Sequence, residues 1–284
     1  MSESPLISVK ELEAKLSDDN LLILDVRASL TDPAEGCRLY EAGHIPGARF
    51  TDLENDVSGC RSGTNGRHPL PDSGRFCVNM RRLGLNPASR VVVYDQGDCN
   101  FAARLWFTLR WVGFKHVRVL DGGWATWEKA GMAVQTEEPA WGQSTYRATA
   151  PLERVFDDDF VEKNLAEHGP YVLVDARSHE RFIGQNETMD PVAGHIPGAL
   201  NRPSAENIGE NGLFKAPEIL KKEFGAVLAG RATENVINYC GSGVTACCNH
   251  LAMRVAGLRD AGVYVGSWSE WVADENRPVA TGDN

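Results

Sequence analysis

Ala42-Gly43-His44-Ile45-Pro46-Gly47-Ala48 returns unchanged as Ala193-Gly194-His195-Ile196-Pro197-Gly198-Ala199. Other blocks repeat on either side of it in the same order. Leu24-Asp25-Val26-Arg27 returns as Val174-Asp175-Ala176-Arg177. Val91 to Asp95 aligns with Val236 to Cys240, and Val119 to Trp127 aligns with Val263 to Trp271. The offset is 144 to 151 residues, the length of a whole domain rather than of a solenoid unit. The 284 residues are therefore expected to form two copies of one domain, residues 1–138 and 151–284. Between them residues 139–150, with Pro139 and Gly142, break the pattern and read as a linker.

Each copy alternates strand and helix signals. In the first, Ser8 and Glu11 form a capping box ahead of an amphipathic stretch with Val9, Leu12 and Leu16. Strands are expected at Leu21–Val26, Arg90–Tyr94 and Val117–Leu120, and helices at Asp72–Leu83, Phe101–Val112 and Trp124–Lys129. In the second, strands are expected at Tyr171–Val174, Asn235–Tyr239 and Gly262–Val265, and helices at Pro217–Leu228 and Val244–Ala256. Apolar strands alternating with helices predict an α/β fold: in each domain, a parallel sheet with helices on both faces.

Composition narrows the functional classes. Hydrophobic residues make up 42% and charged residues 24%, as in a globular protein. A net charge of -10 argues against nucleic acid or an anionic membrane as partner. No apolar run approaches the roughly 20 residues needed to cross a bilayer. Met1 to Val9 lacks a basic segment leading into an apolar one, so no secretory signal is expected. The seven cysteines are Cys37, Cys60, Cys77, Cys99, Cys240, Cys247 and Cys248. Their odd number and the absence of Cys-x-x-Cys spacing speak against a disulfide framework or a zinc cluster. A cytoplasmic location is expected, with most thiols serving as small buried apolar groups.

Chemistry is expected where the copies differ. The Asp-x-Arg after the first strand and the His-Ile-Pro-Gly turn occur twice and suit a shared fold. Trp124 with Trp127, and Trp268 with Trp271, lie three apart on one helix face and read as core. After Tyr239, however, the second copy reads Cys240-Gly241-Ser242-Gly243-Val244-Thr245, where the first reads Asp95-Gln96-Gly97-Asp98-Cys99. A glycine-rich loop between a parallel strand and a helix lies at the carboxyl end of the sheet, where ligands bind in such folds. Its amides can turn inward as an anion nest. A thiol there is expected to be thiolate-prone and nucleophilic. The first copy puts a carboxylate in that place and is expected to lack the chemistry.

At these residues the chain resembles a known family. Cys240 to Thr245 looks like the active-site loop of 3-mercaptopyruvate sulfurtransferases. The two His-Ile-Pro-Gly turns and Gly266-Ser267-Trp268-Ser269-Glu270-Trp271 are similar to the tandem rhodanese pattern. The resemblance implies an inactive first domain and a catalytic second one. It implies that Cys240 takes sulfur from 3-mercaptopyruvate, releases pyruvate and holds a persulfide. A thiol such as thioredoxin or a small thiol, or cyanide, then removes the sulfur. No cofactor or metal is implied. The family's substrate arginine maps onto Arg181, while the stretch Glu187-Thr188-Met189-Asp190-Pro191 lacks the second arginine many members carry. Arg67 and His68 are candidates for compensating charge. The proton relay maps onto Ser242 and His44, with Asp32 or Glu35 as the acid. Gly241, Gly243, Val244 and Thr245 complete the expected substrate loop.

Other chemistries are weighed at the same positions. A phosphatase loop would need an arginine six residues after the cysteine, and Ala246 stands there. A thiosulfate sulfurtransferase is the alternative within the enzyme class. Such enzymes resemble this one but place basic residues directly after the cysteine, where this loop has Gly241 and Ser242. A non-catalytic rhodanese module for protein interaction is the alternative outside it.

Overall fold

A computed structural model describes residues 4–142 and 144–283. It comprises two compact units. The first contains Leu70–Leu152 together with the segments before Cys60 and Glu210–Phe214; the second contains Cys60–Pro69, Glu153–Gly209 and Lys215 onward. Met1 to Glu3, part of the stretch read for a signal, lie outside the described residues.

The first unit runs β1 (Leu6–Ile7), α1 (Val9–Glu13), β2 (Leu21–Asp25), α2 (Glu35–Ala42), β3 (Ala48–Phe50), α3 (Ser73–Arg82), β4 (Arg90–Tyr94), α4 (Asn100–Trp111), β5 (Val117–Leu120) and α5 (Gly123–Lys129). Its five strands are all parallel, in the order β1-β5-β4-β2-β3. The centre is β4, whose Val91, Val92 and Val93 are all buried. Branched side chains on both faces suit a strand covered by helices on both sides. The Ser8–Glu11 capping box is present, with Ser8 Oγ accepting from the Glu11 amide and the Glu11 carboxylate from the Ser8 amide.

The second unit repeats the plan with β6 (Arg154–Phe156), α6 (Asp158–Ala166), β7 (Val172–Asp175), α7 (His179–Phe182), β8 (Leu200–Asn201), α8 (Pro217–Leu228), β9 (Val236–Tyr239), α9 (Thr245–Val255), β10 (Gly262–Tyr264) and α10 (Ser267–Trp271). Its order, β6-β10-β9-β7-β8, is the same and again all parallel. The expected linker is not a free connection. Tyr146 is buried and its hydroxyl donates to Val112 O at 2.9 Å, while the Thr149 and Leu152 amides donate to Val112 and Arg110 carbonyls. This stretch is part of the first unit.

The duplicated motifs serve the fold. Arg27 forms a two-pronged bond to Asp25, stacks on Trp124 at 4.5 Å and donates to the carbonyls of Leu39 and Gly43. Arg177 does the same with Asp175, Trp268 and the Gly194 carbonyl. Each arginine joins a strand end to the turn that follows, and both ion pairs are buried. Breaking such a pair by removing one partner costs about 3–5 kcal/mol, because the other charge stays buried. Trp127, Trp268 and Trp271 are fully buried as expected. No helix is long and apolar enough to cross a membrane among the described residues.

Candidate active site

The strand order of the second unit reverses between β7 and β9, so their carboxyl ends border the crevice where such sheets bind ligands. Asp175 pairs with Tyr239 at that end. Cys240 therefore follows β9 beside the start of the β7–α7 connection, and Arg181 lies just beyond that connection in α7.

Cys240 is buried, and its Sγ accepts the Gly243 amide at 3.1 Å. Gly243 has φ +75°, and a Cβ there would lie 2.2 Å from the Val265 carbonyl, so only glycine fits. This left-handed turn aims its amide back at the sulfur. Val244 caps α9, which begins at Thr245. The loop is anchored from α10: Trp268 N–H donates to Cys240 O and Ser269 N–H to Gly241 O, both at 2.9 Å.

Ser267 was not expected at the site. Its Oγ accepts the Cys240 amide at 3.1 Å and donates to Tyr264 O at 2.8 Å. It holds φ +56°, a strained value for a residue with a side chain. The aligned residue of the first unit is Gly123, with φ +53°, where a Cβ would come within 2.6 Å of Asp95 O. The Gly-to-Ser difference between the copies was a signal in the sequence.

Two arginines close over the loop. A Cβ on Gly241 would lie 3.0 Å from Arg67 Nη2 and 3.4 Å from Arg181 Nη2. Arg181 is held by Glu187 through Nε at 3.0 Å and Nη2 at 2.8 Å. Asp190 binds Arg181 at 3.2 Å through one oxygen and Arg67 through the other. Burial opposes the Glu187 charge, but Arg181 and the amides of Met189 and Asp190 outweigh it and hold its carboxyl below the usual range. Burial pushes the Asp190 carboxyl up, and the arginines offset this only in part. Residues 187–191 lack a second arginine, and Arg67, from a segment that packs within the second unit, places a second guanidinium beside Gly241.

The histidine beside the loop is His68. Its Nδ1 lies 2.8 Å from Ser242 Oγ, and both residues are buried. Ser242, expected to share a relay with His44, thus has His68 as its hydrogen-bond partner. His44 lies in the first unit, stacked on Tyr40 at 3.9 Å, with its ring nitrogens facing the carbonyls of Tyr40 and Glu137. Its twin His195 stacks on Phe182 at 3.8 Å and faces the Phe182 carbonyl in the same way. Of the acids expected beside His44, Asp32 pairs with Arg38 and accepts the Ala34 amide, and Glu35 opens α2. A histidine present in both copies supports what both copies share, whereas His68 lies outside the repeated blocks.

The remaining cysteines divide by burial. Cys77, Cys99, Cys247 and Cys248 are buried, and Cys37 and Cys60 are exposed. Cys247 donates to the Gly243 carbonyl at 3.3 Å, which ties the first turn of α9 to the loop.

Comparison with known proteins bears on this site. The rhodanese-like domain family matches residues 8–130 and 159–274. The chain is 44% identical over 285 residues to the "Probable 3-mercaptopyruvate sulfurtransferase" of Pseudomonas aeruginosa, covering all of both chains. It is 33% identical to the thiosulfate sulfurtransferase of Mus musculus, over 89% of this chain and 85% of that one. Among solved structures, the 3-mercaptopyruvate sulfotransferase SseA of Escherichia coli superposes with a TM-score of 0.81 at 31% identity, over 94% of this chain and all of that one.

Proposed function

The chain belongs to the rhodanese-like family and is a sulfurtransferase, and from that premise we propose that it moves sulfur from 3-mercaptopyruvate through a persulfide on Cys240. Relatives carry both the mercaptopyruvate and the thiosulfate names, so the choice of donor rests on the site. The observation that carries it is the Ser242–His68 hydrogen bond.

The two donors differ in proton balance. With 3-mercaptopyruvate, the Cys240 thiolate attacks the donor sulfur, an S–S bond forms and the C–S bond breaks. Its electron pair leaves as the pyruvate enolate. The proton lost from the donor thiol ends on the methylene carbon, giving pyruvate. A group must hold that proton in between, and Ser242 hydroxyl backed by His68 Nδ1 suits the task. With thiosulfate, the thiolate takes the terminal sulfur and sulfite departs with its electron pair. No proton moves, and the Ser242–His68 pair has nothing to do.

The other parts have matching roles. Arg67 and Arg181 bind the donor carboxylate through their remaining N–H groups. Gly241, Gly243, Val244 and Thr245 wrap the sulfur, with the Gly243 amide stabilising the anionic persulfide. In the second half-reaction an acceptor thiolate, from a small thiol or a protein such as thioredoxin, attacks the outer sulfur and returns the Cys240 thiolate. Cyanide would leave as thiocyanate.

Ser242→Ala and His68→Ala test the reading with both donors and one acceptor. Each should lower kcat/KM for 3-mercaptopyruvate about 100-fold, within the usual range for general acid–base groups. Each should leave the thiosulfate rate within about threefold of wild type, since that reaction has no proton transfer to lose. Equal losses with both donors would refute the relay. A wild-type kcat/KM for thiosulfate at or above that for 3-mercaptopyruvate would reassign the donor.

A further inference from the structure

The ion pairs around Arg67 and Arg181 set a charge balance. Arg177, Arg181 and Arg67 form a chain of guanidiniums bridged by carboxylates. Arg177 is paired to Asp175 and to Glu187, Arg181 to Glu187 and Asp190, and Arg67 to Asp190. Three cations thus face three anions. The Glu187 and Asp190 side chains are only 2% and 1% exposed, so water does little to screen them. The arginines nonetheless keep donors for a ligand. Their Nη2 groups meet over Gly241, and Arg67 Nε is buried with no hydrogen-bond partner among the described residues.

We propose that Asp190 is a specificity-determining residue: by neutralising the Arg67–Arg181 pair it fits the site to a singly charged carboxylate donor and turns away a compact dianion. This rests on the persulfide reading of Cys240 and goes beyond it by naming what excludes the other donor. A carboxylate needs oriented N–H donors and brings one negative charge, which a neutral cluster of forks accommodates. Thiosulfate brings two charges next to the Cys240 thiolate and releases sulfite, which carries two as well. In a balanced pocket the second charge has no counter-charge. Asp190 also sets geometry, since each of its oxygens takes a different arginine and holds both guanidiniums at Gly241.

The test compares donor selectivity in Asp190→Asn and Asp190→Glu. Asp190→Asn keeps the shape and adds one net positive charge. That charge acts about twice as strongly on a dianion as on a monoanion, so the ratio of kcat/KM values carries the result. The thiosulfate-to-mercaptopyruvate ratio should rise at least about 10-fold, mainly through a lower KM for thiosulfate. Asp190→Glu retains the charge and should hold the ratio within about threefold of wild type. Glu187→Gln makes the same net change through the other carboxylate and should shift the ratio the same way, which keeps the test open if Asp190→Asn does not fold. A ratio unchanged in a folded neutral variant that still loads sulfur on Cys240 would overturn the proposal. So would a shift as large in Asp190→Glu as in Asp190→Asn, because geometry rather than charge would then be responsible. Failure of the wild-type protein to load sulfur on Cys240 from either donor would instead remove the persulfide reading, and this inference with it.

Discussion

Asp95 and Cys240 hold the same position in the two copies, and the helix begins five residues later in each, at Asn100 and at Thr245. Their surroundings have diverged. Asp95 is buried, and its two oxygens accept the amides of Gly97, Cys99, Phe101 and Ala102 at 2.9–3.3 Å. Its own carboxylate therefore fills the anion cradle of that loop. Cys240 places a single sulfur in the corresponding cradle, with the Gly243 amide on it. A cradle filled by a tethered anion is structural, and one that holds a small thiol can take on and give up a further atom. The difference also extends to the surroundings. Arg181 stands after β7, whereas the stretch after β2 has no basic residue between Arg27 and Arg38.

Replacing the sulfur should have the largest effect. Cys240→Ser should reduce sulfur transfer to background without unfolding the protein. Intact-mass spectrometry after incubation with donor should show one added sulfur atom on wild type and none on the variant. Sulfur mapping to Cys99, Cys247 or Cys248 would break the assignment of chemistry to this loop.

Removal of the flanking cation comes next. Charge-assisted hydrogen bonds are worth roughly 1.5–3 kcal/mol, so Arg181→Ala should lower kcat/KM about 10- to 100-fold. A loss under about twofold would mean that the carboxylate is held elsewhere.

The first copy's cradle should show itself in stability rather than rate. Burial and the nearby Asp98 charge push the Asp95 carboxyl up to about 7, against the pull of its backbone donors. Its ordinary value is 3.8. Between these values the folded chain binds the proton and the unfolded chain does not. The contribution is full below 3.8 and is lost as pH rises through about 7. Thermal melts of wild type should therefore decline across this window, and Asp95→Asn should flatten the decline. The same slope in both proteins would show that another group is responsible.

The smallest effect is expected one helix turn beyond the loop. Cys248 is buried in α9 and reads as packing, so Cys248→Ala should retain most of the activity while losing a little stability. A loss of activity comparable to that of Cys240→Ser would make it a second sulfur carrier.

How much of this was legible varied with the kind of signal. Strands β4 and β5 and helix α8 match the residue ranges expected from sequence. Each is an uninterrupted apolar or amphipathic run between clear breaks, so local pattern and tertiary environment agree. The edge strands β1, β3, β6 and β8 were missed, at two or three residues each, too short for any periodicity. Residues 139–150 read as linker because their composition is polar and broken, yet Tyr146 is buried among the residues of the first unit. One buried ring leaves no pattern in a sequence.

At the site the division is sharper. The sequence by itself determined the duplication, the parallel α/β architecture and the place of the Cys240 loop between a strand and a helix. These depend on residues adjacent along the chain: a strand, a glycine turn and a helix start fix one another locally. Only the tertiary structure decided that His68 rather than His44 meets Ser242, that Arg67 joins Arg181 over Gly241, and that Glu187 and Asp190 balance their charge. His68 and Ser242 are 174 residues apart, and Arg67 and Asp190 are 123 apart. Hydrogen bonds and ion pairs act over a few ångströms of space, and distance along the chain carries no record of which distant groups folding will bring within that reach.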